Sequence, residues 1–319
     1  MAAPVRVAII GATGRTGASV TDGLLASETK FEITAFSRHA SINSAANDAL
    51  KSRGVRVVAA DLRGPKQDLV KLLTNIDIVI SCIVWTGLDD QVPLAEAAKE
   101  AGVKRFIPCD FSTTAPRGVM LLRDKKEDVL AAIQRLYLPY TVIDVGWWTA
   151  QAVPALPSGR TDSPVTNILN IVPGDGAKPL AYTDVLDIGT YVAKIIVDPR
   201  TLNKKVYAYT EILTPNQITE LIEELSGEKA IRKYLSAEEI HKAIKAANEK
   251  LRTDPEDESA KLSLALNQYV DSWGLRGDGS PESAAYLGYL DFKQLYPDVR
   301  GKTARTVFQE ILDGKRKGI

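Results

Sequence analysis

The chain has 319 residues, of which 45% are hydrophobic and 25% are charged, and its 40 basic side chains are balanced by 40 acidic ones. These proportions are typical of a globular protein with one large or two modest domains, and they exclude a disordered or collagen-like chain. A formal net charge of zero provides no overall field for nucleic acid or an anionic membrane, so we expect a small-molecule partner.

Nothing in the amino-terminal stretch MAAPVRVAII predicts export, because it lacks the basic start, long apolar core and cleavage site of a signal peptide. No window reaches the roughly 20 apolar residues that a membrane helix requires. Cys82 and Cys109 are too few for a disulfide framework or a thiolate zinc site, and His39 and His241 lack carboxylates in ligand spacing. We therefore expect a cytoplasmic protein with no membrane segment and no metal.

Short apolar runs alternate with segments of helical period in the first half of the chain, which is typical of βαβ units. The runs that predict strands are VRVAII, FEITAF, VRVVAA, DIVISCI, RFIPC and YTVIDV. Helices are predicted between them, at residues 14–27, 44–52, 67–73, 91–101 and 120–136. Six strands joined in this way predict an α/β fold with a doubly wound parallel sheet of the Rossmann type.

The first predicted strand runs directly into GATGRTG, whose three glycines are spaced three residues apart at the start of a helix. This is the setting of a dinucleotide-binding turn: the first glycine permits the turn, the second lets the backbone approach a pyrophosphate, and the third lets the helix pack on the strand. Unpaired N–H groups and the helix dipole would receive the phosphate charge. The cofactor residues expected here are Gly11, Thr13, Gly14, Arg15, Thr16 and Gly17. For Arg15 a solvent-exposed position at the helix start is an equal alternative.

The second predicted strand ends at Ser37 and Arg38, about 20 residues past the third glycine, where an acidic side chain would bind the ribose hydroxyl of NAD(H). A carboxylate would repel a 2′-phosphate, whereas a guanidinium can form charge-assisted hydrogen bonds to it. The pair therefore predicts NADP(H) as the cofactor. Asp61, which ends the third strand, either borders the adenine pocket or caps the next turn.

Beyond Gly146 the stretch 149–179 is rich in Pro, Gly and Ser, which predicts loops and short strands. TDVLDIGTYVAKIIV predicts a helix with Thr183 as its N-cap, and KKVYAYT predicts a strand. Two further helices are predicted at TPNQITELIEELSG and SAEEIHKAIKAANEKL, the second opened by a capping box of Ser236 and Glu239. We expect residues 1–147, with 182–198 packed back on them, to form an NADP-binding domain. Residues 148–319 would form a smaller α+β substrate-binding domain.

A hydride carrier needs a proton partner, and we expect no tyrosine–lysine pair of the ordinary short-chain kind in this chain, since Tyr191 is followed by a lysine one position too soon. Other landmarks recur along nearly the whole chain: GATGRTG, SRH, LAEAAKEAGVKRFIPCDF, LPYTVIDVGWW and LYPDV. In these motifs the chain resembles the NmrA-like, isoflavone reductase-like branch of atypical short-chain reductases. One segment differs, because PCDFS stands where plant members have PSEFG.

The resemblance implies NADPH-dependent reduction, in secondary metabolism, of a small aromatic or conjugated substrate by a monomer or homodimer. Plant members reduce C=C, benzylic ether or related bonds in phenylpropanoid-type compounds, and ketone or imine reduction fits the residues equally well. Another branch of the same family consists of regulators that bind NADP(H) and sense its redox state without catalysis. That alternative stays open, because both branches lack the tyrosine–lysine pair.

In plant members a lysine on the helix before the PYT strand acts as acid or base, and counting back from Pro139 carries this role onto Lys126. Helical geometry is an independent check: at about 100° per residue, Lys126 falls within the apolar stripe of Leu122, Val129 and Ile133. A lysine that points inward loses hydration, which favours the neutral amine that proton transfer uses. The alternative is a lysine whose stem packs on the core while its ammonium reaches water.

Ligands of doubly wound sheets lie beyond the carboxyl ends of the strands, so the strand ends should line the reaction site. The residues expected beside the nicotinamide are Ile83, Val84, Cys109 and Lys126. The residues expected to contact the substrate are Phe111, Trp147 and Trp148. The two tryptophans have the alternative of filling space between domains. The aromatic side chains of YLGYLDF form either a lid or part of the core.

Overall fold

The computed structural model describes residues 3–162 and 170–316. Its strands are, in chain order, β1 (Val5–Ile10), β2 (Phe31–Ser37), β3 (Arg56–Ala59), β4 (Ile78–Ser81), β5 (Arg105–Ile107), β6 (Thr141–Asp144), β7 (Trp147–Trp148), β8 (Val172–Pro173), β9 (Leu180–Thr183), β10 (Lys204–Tyr207), β11 (Glu211–Leu213), β12 (Tyr234–Leu235) and β13 (Tyr289–Asp291). Its helices are α1 (Arg15–Leu25), α2 (Ala45–Ser52), α3 (Lys66–Leu73), α4 (Gln91–Glu100), α5 (Leu121–Arg135), α6 (Ile188–Ile195), α7 (Pro215–Ser226), α8 (Ala237–Thr253), α9 (Glu258–Val270), α10 (Pro281–Tyr286), α11 (Phe292–Leu295) and α12 (Ala304–Leu312).

The chain divides into two compact units, each assembled from separate stretches of sequence. Unit 1 comprises the residues up to Phe111, together with Lys125–Asp144 and Val185–Val206. Unit 2 comprises Ser112–Asp124, Val145–Asp184 and the residues from Tyr207 onward. Among the described residues, no helix is both long enough and apolar enough to cross a bilayer.

Unit 1 is built on a parallel sheet with the strand order β3-β2-β1-β4-β5. β6 extends this order through a parallel bridge between Phe106 and Tyr140, supported by a 2.8 Å hydrogen bond from the Phe106 N–H to the Pro139 carbonyl. β10 is the neighbour of β6. The doubly wound parallel sheet expected from the sequence is thereby confirmed.

The central strands of unit 1 are uniformly apolar because both faces of the sheet are covered. Val7, Ala8 and Ile9 of β1 have no exposed surface, as expected for a strand that is covered on both faces. On one face, the cluster that includes Val79 and Phe106 of the sheet also contains buried side chains of α4 and α5. The apolar stripe of α5 therefore faces the sheet, which fixes the side of the helix that carries Lys126.

Residues 185–206 return to unit 1 through a close contact between α1 and α6. The N–H of Gly189 donates to Ser19 Oγ at 3.0 Å. A Cβ at Gly189 would lie 1.7 Å from the Ser19 carbonyl oxygen, and one at Gly23 would lie 2.1 Å from the Gly189 carbonyl carbon. The returning segment also receives the buried Arg105, whose guanidinium donates to the Ile195 carbonyl and to Thr201 Oγ1.

The predicted N-cap at Thr183 is wrong. Thr183 is the last residue of β9, and its hydroxyl donates to the Ala208 carbonyl at 3.3 Å. A 3₁₀ turn over Val185–Asp187 follows, and α6 begins only at Ile188, with Asp187 in the capping position but without a side-chain cap. Pairing of β9 with its neighbouring strands therefore decides the conformation of Thr183, although the local sequence would favour a helix N-cap there.

Unit 2 contains a small sheet in which β9 is antiparallel to β11 and parallel to β7, and a separate pair of β8 and β12. α7 carries a capping box from Thr214 and Gln217 and ends at Gly227 in the left-handed conformation. The expected capping box of Ser236 and Glu239 opens α8. Part of the stretch that predicts loops and short strands, residues 163–169, lies outside the described residues.

The aromatic side chains of YLGYLDF do not share one environment. Gly288, with φ +81°, separates α10 from β13. Tyr286 is 90% exposed, whereas Tyr289 and Phe292 are buried. Two of the three rings are therefore core residues of unit 2, and only Tyr286 is open to solvent.

Candidate active site

A cleft of about 620 Å³ opens in unit 1 where β1 to β4 end. The strand order reverses between β1 and β4, which is the position where doubly wound sheets receive ligands. The volume lies within the usual range of small-molecule sites. The cleft is lined by residues 10–14, 35–38, 41, 47, 60–63, 82–84, 86, 87 and 90.

The glycine turn forms the floor of this cleft. Gly11 has φ +78°, and a Cβ there would lie 2.4 Å from the Cys82 carbonyl oxygen. A Cβ at Gly17 would lie 2.1 Å from the Gly11 carbonyl oxygen, so the helix packs directly on the turn. Gly14 is exposed in the cleft and caps α1 without a side-chain hydrogen bond. Because the first amides of a helix have no acceptor within it, this end of α1 offers N–H groups to an anion.

Ser37 and Arg38 form the wall of the cleft beside β2. Ser37 Oγ accepts a 2.8 Å hydrogen bond from Asn47, whose buried amide also donates to the Ser41 carbonyl at 2.7 Å. Arg38 is exposed, and no residue in the described ranges forms an ion pair or hydrogen bond with its guanidinium. The positive charge of Arg38 is therefore not neutralised by a described residue, whereas the neighbouring Ser37 is held by hydrogen bonds.

A second arginine, Arg63, lines the same cleft from the turn that follows β3. Its Nε donates to Asp90 Oδ1 at 2.8 Å, and its backbone N–H donates to Asp61 Oδ1 at 2.9 Å. Asp61 thus borders the cleft and caps the turn at once. Sequence reasoning did not find Arg63 or Asp90, although the strand-end rule that pointed to Asp61 also covers the turn that follows it.

Of the other residues expected at the cofactor, some line the cleft and some do not. Thr13, Ile83 and Val84 line the cleft, and Val84 is 69% exposed there. Five do not line it: Arg15, Thr16, Gly17, Cys109 and Lys126. Arg15 is half-buried as the first residue of α1.

Cys109 lies beyond the end of β5, and its thiol donates to the Ile83 carbonyl at 3.1 Å. Its backbone N–H donates to Gln91 Oε1 at 2.7 Å. Burial raises the pKa of Cys109 to about 11, and burial also raises the pKa of Cys82 well above its ordinary value. Both thiols therefore stay protonated at neutral pH, which argues against a thiolate nucleophile at this site.

Lys126 is only 7% exposed, and its amine donates to the Asp110 carbonyl at 2.5 Å. Val129 and Ile133, which share its face of α5, are fully or almost fully buried, while the neighbouring Lys125 is exposed. The side chain therefore points inward rather than extending its ammonium to water. The Lys126 charge also acts on Cys109, whose pKa it lowers against the effect of burial.

The loop that receives the Lys126 amine is strained. Phe111 has φ +36° and is 4% exposed, and its N–H donates to the Ile143 carbonyl at 2.8 Å. A non-glycine residue in this region costs about 1–3 kcal/mol, and such residues concentrate at functional sites. The PCDFS segment, which differs from the plant motif, is thus held in an unusual conformation next to the lysine.

In unit 2, Trp147 lines an apolar pocket of about 50 Å³ together with Tyr182 and Trp273. Its ring lies 5.8 Å from that of Tyr269 and 5.7 Å from that of Trp273, centroid to centroid. Trp273 Nε1 is buried and has no hydrogen-bond partner within residues 3–162 and 170–316. Trp148 is half-buried and does not line this pocket.

The expectation that no tyrosine and lysine have the spacing of the short-chain pair is wrong, because Tyr289 and Lys293 have it. They lie on β13 and α11 rather than on one helix. Tyr289 is 7% exposed, and the Lys293 amine lies 4.9 Å from the centroid of the Tyr209 ring. The pair is therefore part of an aromatic cluster in unit 2.

The sequence is similar to those of known oxidoreductases along almost its whole length. The family model described as the NmrA-like family matches residues 4–262. Asnovolin J 5′,6′-dehydrogenase from Aspergillus novofumigatus is 47% identical over 97% of this chain and 96% of its own length. A phenylcoumaran benzylic ether reductase from Nicotiana tabacum is 29% identical over 95% of this chain and 97% of its own.

Solved structures share the fold over almost their full length. A structure of AtPrR2 with NADP+ and (+)-pinoresinol has a TM-score of 0.79 at 22% identity, and covers 98% of this chain and 100% of its own. An isoflavone reductase crystal structure has a TM-score of 0.77 at 26% identity, and covers 97% of this chain and 99% of its own.

Proposed function

The chain belongs to the NmrA-like family and is an NADP(H)-dependent oxidoreductase of its isoflavone reductase-like branch; on that premise we propose that it moves a hydride between the cofactor and a small aromatic or conjugated substrate, with Lys126 as acid or base. The observation that carries the proposal is the combination, within unit 1, of an anion-binding glycine turn, an uncompensated Arg38 and a buried lysine. The first two features suit an anionic ligand, and the third is a proton donor or acceptor that is held away from bulk water.

The residues of the cleft fit NADP(H) by their chemistry. The turn from Gly11 to Gly14 would hold the pyrophosphate, because it lines the cleft at the amino-terminal end of α1 and Gly14 has no side chain to occupy that space. Ser37 and Arg38 would hold the 2′-phosphate, and Ile83 and Val84 would lie along the nicotinamide side. When bound, NADP(H) supplies or accepts the hydride.

Lys126 would handle the proton. Its amine is fixed by the Asp110 carbonyl and excluded from bulk water, so it can give a proton to the substrate atom that gains electron density, directly or through one water. In the opposite direction the neutral amine would take that proton back. A single site of this kind serves both a reductase and a dehydrogenase, the two activities that the names of the relatives describe.

The proposed substrate class follows from the names of the relatives. Their names specify asnovolin J, a phenylcoumaran benzylic ether and pinoresinol. The name 5′,6′-dehydrogenase describes the removal of hydrogen from two adjacent positions, and the reverse reaction reduces a double bond. A C=C bond is therefore one candidate for the bond that is reduced, together with a benzylic ether, a ketone or an imine.

The test combines binding and turnover on the purified protein. We expect NADPH to bind at least about tenfold more tightly than NADH, because each charge-assisted hydrogen bond to the 2′-phosphate contributes about 1.5–3 kcal/mol. Conjugated aromatic carbonyls, olefins and ethers are then screened for NADPH oxidation, and the saturated compounds for NADP+ reduction. Tight NADPH binding without turnover of any compound in either direction would favour the redox-sensing regulator instead.

A further inference from the structure

The two arginines that line the cofactor cleft differ in their electrostatic state. Arg38 has no carboxylate partner among the described residues. Arg63 is paired with Asp90 through a 2.8 Å hydrogen bond, and the carboxylate of Asp61 accepts the Arg63 backbone N–H. Both carboxylates also raise the pKa of Arg63, with Asp90 contributing most.

This difference decides which part of a nucleotide each arginine suits. With charges of +1 for Arg63 and −1 each for Asp61 and Asp90, the group carries a net charge of −1 and would repel a phosphate. A guanidinium whose charge is compensated keeps its planar face, on which aromatic rings stack. Arg38, which lacks a compensating carboxylate, is the phosphate ligand of the two.

We propose that Arg63, oriented by Asp90, is the adenine-binding residue of the cleft and that it does not read the 2′-phosphate. The proposal rests on the assignment of the cleft to NADP(H). It makes Arg63 a determinant of affinity for adenine nucleotides in general, whereas Arg38 determines the choice between NADP(H) and NAD(H).

The local geometry supports a fixed but accessible guanidinium. The turn from Asp61 to Gly64 is closed by a 3.2 Å hydrogen bond from the Gly64 N–H to the Asp61 carbonyl, so the backbone of Arg63 is held in place. Asp90 fixes one edge of the guanidinium through Nε. The Arg63 side chain is nevertheless 75% exposed, which leaves a face open to a ligand that enters the cleft.

The experiment uses two probes that differ only in the 2′-phosphate, 5′-AMP and adenosine 2′,5′-bisphosphate, with binding measured by calorimetry. For Arg63→Ala we expect both probes to bind more weakly by the same factor, about threefold to thirtyfold, because a cation–π contact is lost. For Arg38→Ala we expect only the bisphosphate to weaken. Asp90→Ala frees the guanidinium and removes one negative charge, so it should weaken 5′-AMP by less than Arg63→Ala does and weaken the bisphosphate less than 5′-AMP.

Other results would overturn the proposal. A selective loss of the bisphosphate with Arg63→Ala would make Arg63 a second phosphate ligand, and unchanged affinity for both probes would make it a surface residue. Arg63→Lys, which keeps the charge but not the plane, should bind as weakly as Arg63→Ala, so full recovery by lysine also counts against stacking. If the wild-type protein binds neither probe nor NADPH, the cofactor assignment fails together with this inference. Exposed ion pairs add little to stability, so these variants should remain folded.

Discussion

A buried, inward-facing lysine and a strained aromatic residue meet at the segment Asp110–Phe111. Lys126 is 7% exposed and bonded to the Asp110 carbonyl, and Phe111 follows with φ +36°. Neither arrangement is favoured by the residue itself, because an ammonium loses hydration when buried and a phenylalanine is strained at positive φ. Single residues placed against their intrinsic preference are where we expect the chemistry of this protein.

Replacing Lys126 with methionine should remove turnover but leave cofactor binding close to normal, because Lys126 does not line the cleft. Methionine keeps the apolar stem, and the loss of an acid or base lowers rates by about 10²- to 10⁴-fold. The rate is measured with a compound identified in the screen, and NADPH affinity by titration. Lys125→Met removes an exposed lysine of the same helix and should retain turnover. Full turnover in Lys126→Met would refute the assigned role.

Gly11→Ala should destabilise the protein and impair NADPH binding. Alanine at φ +78° is strained by about 1–2 kcal/mol, and its Cβ would in addition lie 2.4 Å from the Cys82 carbonyl oxygen. Gly54→Ala is the matched control, since Gly54 has φ +83° but nothing within 4 Å of an added Cβ. Chemical denaturation and NADPH titration of both variants separate strain from collision. Equal losses in the two variants would show that the contact with Cys82 contributes nothing.

At the scale of helices and strands, the correct predictions came from patterns of residues that are adjacent in the chain. The β1–turn–α1 unit was found because its apolar run, glycine spacing and helix start are adjacent in the chain. Thr183 was assigned to a helix cap because the pattern of one segment cannot show that β9 pairs with β7 and β11. Local chemistry is decisive where no neighbouring strand competes for the same residue.

The candidate site shows the same limit. Arg38 was predicted because it follows a strand at a fixed distance from the glycine turn, and Lys126 because a helical stripe and a family motif coincide on it. Arg63 and Asp90 are 27 positions apart and meet only because β3 and β4 end at the same edge of the sheet. Trp273 became visible only through the pocket that it lines. Contacts between distant segments depend on the strand order, which no single window contains.

The α1–α6 contact predicts a large effect from a small change. In an exposed helix, Gly→Ala usually stabilises by about 1 kcal/mol. At Gly189, however, the new methyl group would lie 1.7 Å from the Ser19 carbonyl oxygen, so the two helices must separate. We expect Gly189→Ala to lower the free energy of unfolding by about 2 kcal/mol or more, measured by urea denaturation. A stabilised variant would contradict the close packing of the two helices.

Asp77 links the start of β4 to β1 and should make stability depend on acid pH. Arg6, at 3.0 Å, and then Lys104, at 2.8 Å, hold the pKa of Asp77 well below its usual range. Because the folded pKa is lower than the unfolded value of about 3.9, the stabilisation is complete above that value and is lost as the pH falls further. Asp77→Asn should therefore lose less stability than wild type between about pH 5 and pH 2. Parallel acid denaturation curves would contradict this.

At the scale of the whole molecule, the last described residues stabilise unit 2 through a buried ion pair. The guanidinium of Arg316 donates to both carboxylate oxygens of Asp184, one of them at 2.8 Å, and Nε of Arg316 lies 2.9 Å from Glu310. Asp184 has no exposed surface and the Arg316 side chain is 4% exposed. A fully buried carboxylate is stabilised when a hydrogen-bonded cation of this kind offsets its loss of hydration.

Arg316→Ala should therefore lower the free energy of unfolding by about 3–5 kcal/mol, because it removes both hydrogen bonds that this guanidinium donates to the buried Asp184. Arg305→Ala is the control, since it removes the exposed pair with Glu224 and should change stability by at most about 1 kcal/mol. Thermal and urea unfolding of the two variants decide the comparison. Similar effects in both would mean that Asp184 is solvated or paired elsewhere when Arg316 is absent.

The return of residues 185–206 to unit 1 has a consequence for biosynthesis. Ser19 and Gly189, which join α1 to α6, are 170 positions apart, so a ribosome that adds about 5–20 residues per second makes the second partner on the order of 10 to 30 s after the first. During that interval the nascent chain exposes the surface of α1 around Gly23 that α6 later covers. Chaperones have their best opportunity to bind this polypeptide then, and translation that stops before residue 185 should release a fragment prone to aggregation.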